Sequence, residues 1–408
     1  MRKTLYVSTF ILLAAVLVLS ACGTAATPQT VVQTQVQVQT QIVEVTSTPG
    51  PAAATPLPAG SVQITAGGAT FPLPLYSQWT YAFAYVDPSV AINYAGVGSG
   101  AGKTAILNNT FDFAGSDSVL SDQQYTDGKD LQMYPMVAGA IVLAYNIKYN
   151  SPKMPAVGKG TPTPTAAPIP TLVLDRQSLV DIYNGKVSMW NDPEIVALNP
   201  GLKDYLPAAK ITTVHRSDGS GTTDIFTHAL TSFSPDWKAG AAQSIQWPIK
   251  DSLGGKGNPG VAALIGATPN SIGYVELAYA LSNGLSYASV INKAGKTVVA
   301  NGDSINADMA DYASAFDNNP KLTAYIVDGA GAGSWPITGY TYIILHTTSM
   351  TDCVKAAKIL EYLQWALNDA GAASMAKKLG YSVLPDAVKA KVLAAYQQVT
   401  CNGQPVLK

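Results

Sequence analysis

Hydrophobic and polar positions follow a pattern that recurs three times along the chain. Val62 and Ile64 alternate with other residues and lead into a glycine-rich turn, after which apolar residues recur at helical spacing. The same order of strand, glycine-rich turn and helix starts again near Val90 and near Ile211. Strands that alternate with helices in this way are typical of α/β proteins with largely parallel sheets. The pattern therefore predicts an α/β fold.

The C-terminal part of the chain has helical spacing over 354–368 and again over about 385–397. Hydrophobic residues make up 47% of the 408 residues and charged residues make up 12%, so the chain can bury a large core. A chain of this length is expected to contain more than one structural lobe.

The first twenty-one residues have the composition of an export signal peptide. Arg2 and Lys3 precede an apolar stretch over 5–19, and small residues then lead to Cys22. The four residues that end at Cys22, Leu-Ser-Ala-Cys, resemble a bacterial lipoprotein processing site, which implies cleavage before Cys22 and a lipid on its sulfur. A short transmembrane anchor is the alternative, although a membrane span needs about 20 apolar residues.

Two segments are predicted to contribute nothing to the folded body. Residues 22–60 consist mainly of Thr, Gln, Val, Pro and Ala with almost no charge, which predicts a tether between the lipid and the folded protein. Residues 151–170 are rich in proline and predict a surface insertion within a loop.

The charge balance argues against nucleic-acid binding, because 25 basic and 26 acidic residues give a net charge of −1. Three scattered histidines and three cysteines have no metal-site spacing, so neither a metal nor a cofactor is expected. With Cys22 assigned to lipid, Cys353 and Cys401 remain. In an oxidising compartment this pair is most simply a disulfide, and two free thiols are the alternative.

Each of the three glycine-rich turns precedes a predicted helix. A helix start exposes unpaired N–H groups and carries a partial positive charge, so a turn of Gly, Ser and Thr at that point can bind an anion. Ordinary N-capping by Ser and Thr accounts for the same residues. The pattern by itself leaves both interpretations open.

One turn also satisfies a dinucleotide-binding pattern. Residues 96–101 are Gly-Val-Gly-Ser-Gly-Ala, and Asp117 lies roughly where a ribose-binding acid is expected. Nicotinamide cofactors are scarce outside the cell, however, and Asp117 lies in a polar Ser-Asp-Ser turn. The dinucleotide interpretation is therefore disfavoured.

Seven motifs resemble those of the extracytoplasmic phosphate-binding proteins of ABC phosphate importers, over about 62–396. In chain order they are Ala66-Gly-Gly-Ala-Thr-Phe-Pro72, Tyr94-Ala-Gly-Val-Gly-Ser99, Phe113-Ala-Gly-Ser-Asp117, Arg216-Ser-Asp-Gly-Ser-Gly-Thr222, Gly254-Gly-Lys-Gly-Asn258, Gly273-Tyr-Val-Glu276 and Trp335-Pro-Ile-Thr338. The resemblance implies a two-lobe periplasmic-binding-protein fold (type II-like), in which each lobe is a mostly parallel sheet flanked by helices and the ligand lies in the cleft. Lobe 1 would comprise 61–145 and 340–408, and lobe 2 would comprise 146–339.

The resemblance also implies the phosphate ligands. They would be the backbone N–H groups of Thr70 and Phe71, together with Ser99, Asp117, Arg216, Ser220, Gly221 and Thr222. Asp218 would pair with Arg216 and hold its guanidinium in place. Asp117 is expected to accept the ligand's own O–H, which fully ionised sulfate lacks. Sites built around a ligand O–H reject analogues without it by roughly 10⁴–10⁵-fold.

The implied function is high-affinity capture of inorganic phosphate outside the cytoplasmic membrane and its delivery to the transmembrane subunits of an ABC importer. A monomer is expected, held at the membrane by its lipid alone or periplasmic. Another protonated oxyanion such as arsenate is the alternative ligand. A secreted phosphatase-like enzyme is disfavoured because Asp218 and Thr222 replace the glycines of a serine nucleophile elbow, and no metal-ligand motif is recognisable.

Overall fold

The computed structural model describes residues 61–151 and 169–407. Its strands, numbered in chain order, are β1 Val62–Gly68, β2 Val90–Ala95, β3 Phe113–Ser116, β4 Leu131–Asn146, β5 Val173–Asp175, β6 Thr212–Arg216, β7 Leu253–Gly255, β8 Ser271–Glu276, β9 Ser286–Tyr287, β10 Ser289–Ile291, β11 Thr297–Val298, β12 Thr338–His346, β13 Ser382–Val383, β14 Thr400–Cys401 and β15 Gln404–Pro405.

The α-helices are α1 Leu73–Val86, α2 Ser99–Leu107, α3 Asp122–Gly128, α4 Arg176–Asn184, α5 Pro193–Leu198, α6 Gly221–Phe233, α7 Gly257–Ala267, α8 Leu277–Ser282, α9 Gly302–Asp311, α10 Cys353–Asn368, α11 Ala370–Lys378 and α12 Asp386–Tyr396. Short 3₁₀ helices cover Pro200–Leu202 and Ala313–Phe316.

The main sheet has the strand order β2-β1-β3-β12-β4-β8-β6-β7, and β9 and β13 also pair with β4. Strand β1 pairs in parallel with β2 and β3, and β6 pairs in parallel with β7 and β8. Strands β12 and β4 lie between these parallel groups and pair with their neighbours in antiparallel orientation. The α/β prediction is confirmed, with the three repeated units supplying β1, β2 and β6.

The two parts of strand β4 pair with different neighbours in this sheet. Its residues 131–140 pair with β12, and its residues 141–146 pair with β8. We call β2, β1, β3, β12 and the first part of β4 the first sheet half. The second part of β4, together with β8, β6 and β7, is the second sheet half. One continuous strand therefore connects the two parallel groups.

The core is centred on β4 and β12, which are buried along almost their whole length. A strand covered on both faces is typically a continuous apolar run, and residues 140–144 of β4 are Ala-Ile-Val-Leu-Ala. Three fully buried tryptophans anchor the surrounding helices and loops, and each donates its indole N–H to a backbone carbonyl: Trp79, Trp190 and Trp335.

The C-terminal region agrees with its prediction and adds one helix. The helices α10 and α12 correspond to the two predicted helices, whereas α11 between them was not predicted. Cys353 at the start of α10 forms a disulfide with Cys401 in β14, so the predicted disulfide is confirmed. The bond joins residues that are 48 positions apart in the sequence.

Several predicted features lie outside the described residues. They are the signal peptide 1–21, the lipidation site Cys22, the tether 22–60 and most of the insertion 151–170. Within 61–151 and 169–407, none of the helices combines the length and the apolar character that a membrane span requires.

Candidate functional site

The turns that follow β1, β2, β3 and β6 meet where the two sheet halves adjoin. The N–H of Gly100 at the start of α2 donates to the carbonyl of Gly219 in the β6–α6 turn, at 3.0 Å. Glycine permits this approach, since a Cβ on Gly98, whose φ is +96°, would lie 2.3 Å from Oδ2 of Asp218. The structure thus brings together the residues predicted from both halves of the chain.

The polar side chains predicted as ligands are nearly inaccessible to solvent. None is more than 4% exposed, a set that consists of Thr70, Ser99, Asp117, Arg216, Ser220 and Thr222. Buried polar groups need hydrogen-bond partners, so the partners that each group has, or lacks, define what the site can bind.

Arg216, the last residue of β6, is held in a fixed position by Asp218. Its Nε donates to Oδ1 at 2.8 Å and its Nη2 donates to Oδ2 at 2.6 Å, which is a bidentate pair. Burial alone would raise the pKa of Asp218, but the hydrogen bond and charge of Arg216 keep this pKa below its usual value. The remaining nitrogen, Nη1, donates to the hydroxyl of Thr222 at 3.2 Å. A charged donor is therefore oriented within the site.

Asp117 directly follows β3 and is the site's buried acid. Its Oδ1 has no hydrogen bond of ordinary geometry, although the hydroxyl of Thr341 lies close to the carboxyl, and its Oδ2 has only a long contact of 3.5 Å with the hydroxyl of Ser99. Burial raises the pKa of Asp117 to about 7, although Thr341, Arg216 and Ser99 act to lower it. A buried carboxyl oxygen without a partner is costly unless something else binds it. Near neutral pH this group can accept or donate a proton.

Ser99 begins α2 and joins the two sheet halves through its side chain. Its Oγ accepts the N–H of Gly221 at 3.1 Å and the N–H of Asp117 at 3.3 Å. A Cβ on Gly221 would lie 2.5 Å from the Cβ of Asp117, so only glycine allows α6 to start this close to the acid. The starts of α2 and α6 therefore flank Asp117.

N-capping accounts for one of the predicted hydroxyl ligands. Ser220 caps α6 by accepting the N–H of Thr223 at 3.0 Å. Helices α1 and α2 begin after a proline and a glycine, and neither has a side-chain cap. The hydroxyls of Thr70 and Ser99 therefore have other roles.

Asn258, at the start of α7, contacts the two predicted threonines. Its Nδ2 lies 3.2 Å from the hydroxyl oxygen of Thr70 and 3.0 Å from that of Thr222, and its backbone N–H also donates to Thr70 at 3.0 Å. The sequence motif Gly254–Asn258 contributed to the family resemblance, but asparagine is too common at helix starts for the sequence alone to give it a role.

Two tyrosines hold the backbone that would supply the predicted N–H donors. The hydroxyl of Tyr279 donates to the carbonyl of Thr70 at 2.5 Å, and that of Tyr381 donates to the carbonyl of Phe71 at 2.7 Å. Tyr381 is also 2.9 Å from Oε2 of Glu276, whose pKa burial raises well above its usual value. A neutral Glu276 can donate to Tyr381 while Tyr381 donates to Phe71. Sequence reasoning missed both tyrosines, because an isolated aromatic residue in a helical pattern indicates core packing.

The site combines one charged donor, hydroxyl and backbone donors, and one buried acid. Such a set suits a small oxyanion that carries a proton. A surface cavity of about 700 Å³ lies elsewhere, beside Asp130, His346 and Lys355, and none of the predicted ligands lines it.

A model of the PBP superfamily domain matches residues 33–370 of the chain. The phosphate-binding protein PstS of Xylella fastidiosa (strain Temecula1) is 37% identical over 329 residues, which cover 80% of this chain and 82% of that protein. The phosphate-binding protein PstS of Pasteurella multocida is 35% identical over 336 residues, which cover 82% and 90%. The chain belongs to the PstS family of the PBP superfamily.

Membership of the PstS family agrees with the fold. The structure of PfluDING, described as a high-affinity periplasmic phosphate-binding protein bound with phosphate, has a TM-score of 0.61 and 22% identity. The match covers 82% of this chain and 93% of that chain. The family resemblance and the two-lobe fold expected from the seven sequence motifs are therefore confirmed.

Proposed function

We propose that this member of the PstS family captures inorganic phosphate outside the cytoplasmic membrane and delivers it to an ABC importer. The proposal is supported chiefly by buried Asp117, whose Oδ1 has no well-aligned hydrogen bond and which is flanked by the starts of α2 and α6 through Ser99 and Gly221. A fully ionised anion would oppose this carboxylate, whereas phosphate carries an O–H at neutral pH. One proton shared between Asp117 and a phosphate oxygen removes the repulsion.

The proposed phosphate ligands are those that the family resemblance implies. Thr70 and Phe71 would donate through their backbone N–H groups, Arg216 would supply the charged donor, and Asp117 would accept the ligand's proton. Ser99, Ser220, Gly221 and Thr222 complete the proposed set. Hydrogen bonds to charged groups contribute about 1.5–3 kcal/mol each, so a set of this size can support tight binding.

The alternative ligand is arsenate, which is protonated like phosphate and would compete for the same groups. We propose no enzymatic activity, because His215 and Ser220 are not arranged as the base and nucleophile of a serine hydrolase. Nδ1 of His215 is paired with the hydroxyl of Ser252 at 2.7 Å, and Ser220 caps its own helix. An assay with a chromogenic phosphate ester tests this proposal, and we expect no turnover.

The arrangement of the whole chain is also proposed. Lobe 1 would comprise 61–145 and 340–408 and lobe 2 would comprise 146–339. The change of partners along β4, between residues 140 and 141, supports a division near the first of these boundaries. A monomer tethered by 22–60 to a lipid on Cys22 would stand at the outer face of the cytoplasmic membrane. Feeding the producing cell a labelled fatty acid should label the protein, and Cys22→Ser should abolish this labelling. An unaltered protein that takes up no label would contradict lipid anchoring.

Calorimetric titration with phosphate at pH 7.5 tests the function and the role of Asp117 together. The protein, freed of bound phosphate, should bind one phosphate per chain, and Asp117→Asn should weaken binding by at least 100-fold. Asp308→Asn is the matched control, because Asp308 is also fully buried with one unpartnered oxygen and a pKa that burial raises to about 8. Equal losses in both variants would contradict the site assignment, and no binding by the unaltered protein would contradict the function.

A further inference from the structure

Asn258 connects the two sheet halves at the candidate site and is completely buried. It starts α7, which follows β7 of the second half, and it contacts Thr70, which follows β1 of the first half. It also contacts Thr222 of α6.

The orientation of the Asn258 amide follows from its other neighbour. The backbone N–H of Glu276 lies 3.1 Å from Oδ1 of Asn258, and an N–H can only donate. The oxygen of the amide must therefore face Glu276. Its NH₂ group must then face the two threonines, which fixes it as a donor to both.

The threonine hydroxyls have no acceptor capacity left after these contacts. Oγ1 of Thr70 accepts the backbone N–H and the Nδ2 of Asn258. Oγ1 of Thr222 accepts Nδ2 of Asn258 and Nη1 of Arg216. A hydroxyl has two lone pairs and one proton, so each threonine retains only its proton, which must be donated elsewhere.

We propose that Asn258 is a positioning residue that turns the hydroxyls of Thr70 and Thr222 into obligatory donors toward the bound anion. The proposal rests on the proposed phosphate site. Both hydroxyls then bind unprotonated oxygens of the ligand, and the ligand's own O–H is directed to Asp117, which accepts it. Asn258 thereby contributes to selectivity without contacting the anion through its side chain.

The test is a double-mutant cycle on phosphate affinity, measured by calorimetry at pH 7.5 on the full chain freed of phosphate. Asn258→Leu keeps a similar volume and removes the amide, and it should weaken binding by about 10- to 100-fold, the equivalent of about one charge-assisted hydrogen bond. Thr222→Val should cause a loss of similar size. Because Asn258 acts through the hydroxyl, the double variant should lose at least fivefold less than the product of the two single losses.

A second variant tests the direction of the hydrogen bonds. Asn258→Asp is isosteric but replaces the NH₂ donor with an acceptor, to which the threonine hydroxyls would then donate. It should weaken binding at least tenfold more than Asn258→Leu. Equal losses in these two variants would contradict the assigned direction.

Asn292→Leu is the matched control for a structural effect. Asn292 is also buried, and its Nδ2 and Oδ1 hold backbone groups far along the chain from the site. It should lower thermal stability and leave phosphate affinity within threefold. Two results would refute the positioning role and leave the proposed function intact, provided that the unaltered chain binds phosphate. One is a phosphate affinity of Asn258→Leu within threefold of the unaltered chain. The other is a double variant whose loss of affinity equals the product of the two single losses. If the unaltered chain binds none, the proposed function fails as well.

Discussion

Asp117 shows at the scale of one residue how binding chemistry opposes stability. Burial raises its pKa from 3.8 to about 7, so the folded protein binds this proton more tightly than the unfolded chain does. The stabilisation that comes from tighter proton binding is fully present below about pH 4, and it is lost as the pH rises toward 7 and above. The shift corresponds to a penalty on the order of 4 kcal/mol at high pH.

Asp117→Asn should therefore stabilise the phosphate-free protein at pH 8 and have little effect at pH 4. Thermal unfolding at the two pH values measures this difference. The exposed Asp386, whose side chain is 97% accessible, provides a control, and Asp386→Asn should leave the pH dependence unchanged. A variant at position 117 that is equally or less stable than the unaltered protein at pH 8 would contradict the buried-acid account.

Protonation of Asp117 should also make the selectivity between phosphate and sulfate depend on pH. Sulfate has no O–H at neutral pH, but Asp117 supplies a proton itself once the pH falls below its pKa of about 7. Sulfate affinity should rise by up to about tenfold between pH 8 and pH 5.5, as measured by calorimetry, because the carboxyl becomes a donor. In Asp117→Asn the amide donates at every pH, so this dependence should disappear. A sulfate affinity that is independent of pH in the unaltered protein would refute the proposal that Asp117 selects ligands by their proton.

At the scale of elements, the disulfide fixes the end of the chain to the start of α10. It joins Cys353 to Cys401, 48 positions further along the chain, which limits the conformations of the unfolded state. Cys353→Ser combined with Cys401→Ser should lower the free energy of unfolding by about 2–4 kcal/mol in denaturant titrations.

Phosphate affinity should stay within threefold in that double variant, because neither cysteine contacts the candidate site. If the double variant and the unaltered protein have equal free energies of unfolding, and a reducing agent changes neither, the disulfide does not contribute to stability. A large loss of affinity would show that the C-terminal segment supports the site.

The elements that local patterns specify were predictable, and those that depend on distant contacts were not. The strand-turn-helix units gave β1, β2 and β6 and the helices after them, because alternation and glycine turns are local signals. Helix α11 was missed because it is short and only Asp369 separates it from α10. The change of partners along β4 depends on β8 and β12, which are far away in the sequence.

The candidate site divides in the same way. The proposed ligands stand in motifs, so their positions could be taken from the sequence through the family resemblance. The hydrogen bonds that Asn258, Tyr279 and Tyr381 make to Thr70 and Phe71 join residues that are 188 to 310 positions apart, and no local pattern indicates them. Nor can a sequence show that Oδ1 of Asp117 lacks a partner, because that depends on everything packed around it.

At the scale of the whole molecule, several hydrogen bonds cross between the two sheet halves. Tyr279 of α8, which follows the second half, donates to the carbonyl of Thr70, which follows the first half. Such a bond exists only while the halves are together, so it would link closure of the proposed cleft to the geometry of the proposed N–H donors. Hinge closure around a ligand is a common behaviour of two-lobe binding proteins.

Tyr279→Phe should therefore weaken phosphate binding about 5- to 30-fold, the equivalent of one hydrogen bond of about 1–2 kcal/mol. Tyr183→Phe is a suitable control, because Tyr183 is also buried but its hydroxyl has no hydrogen-bond partner. Calorimetry of both variants compares them directly. Similar affinities in the two variants would show that the bond across the halves does not contribute to binding.

A comparison of phosphate and sulfate binding by the unaltered protein shows whether the site requires a proton on its ligand. Calorimetric titration at pH 8, after bound phosphate has been removed, reads both affinities from the same preparation. The structure predicts binding of one phosphate per chain and a preference over sulfate of at least about tenfold, because at this pH only about a tenth of Asp117 carries the proton that sulfate would need. Comparable affinities for the two anions, or no phosphate binding, would contradict the account.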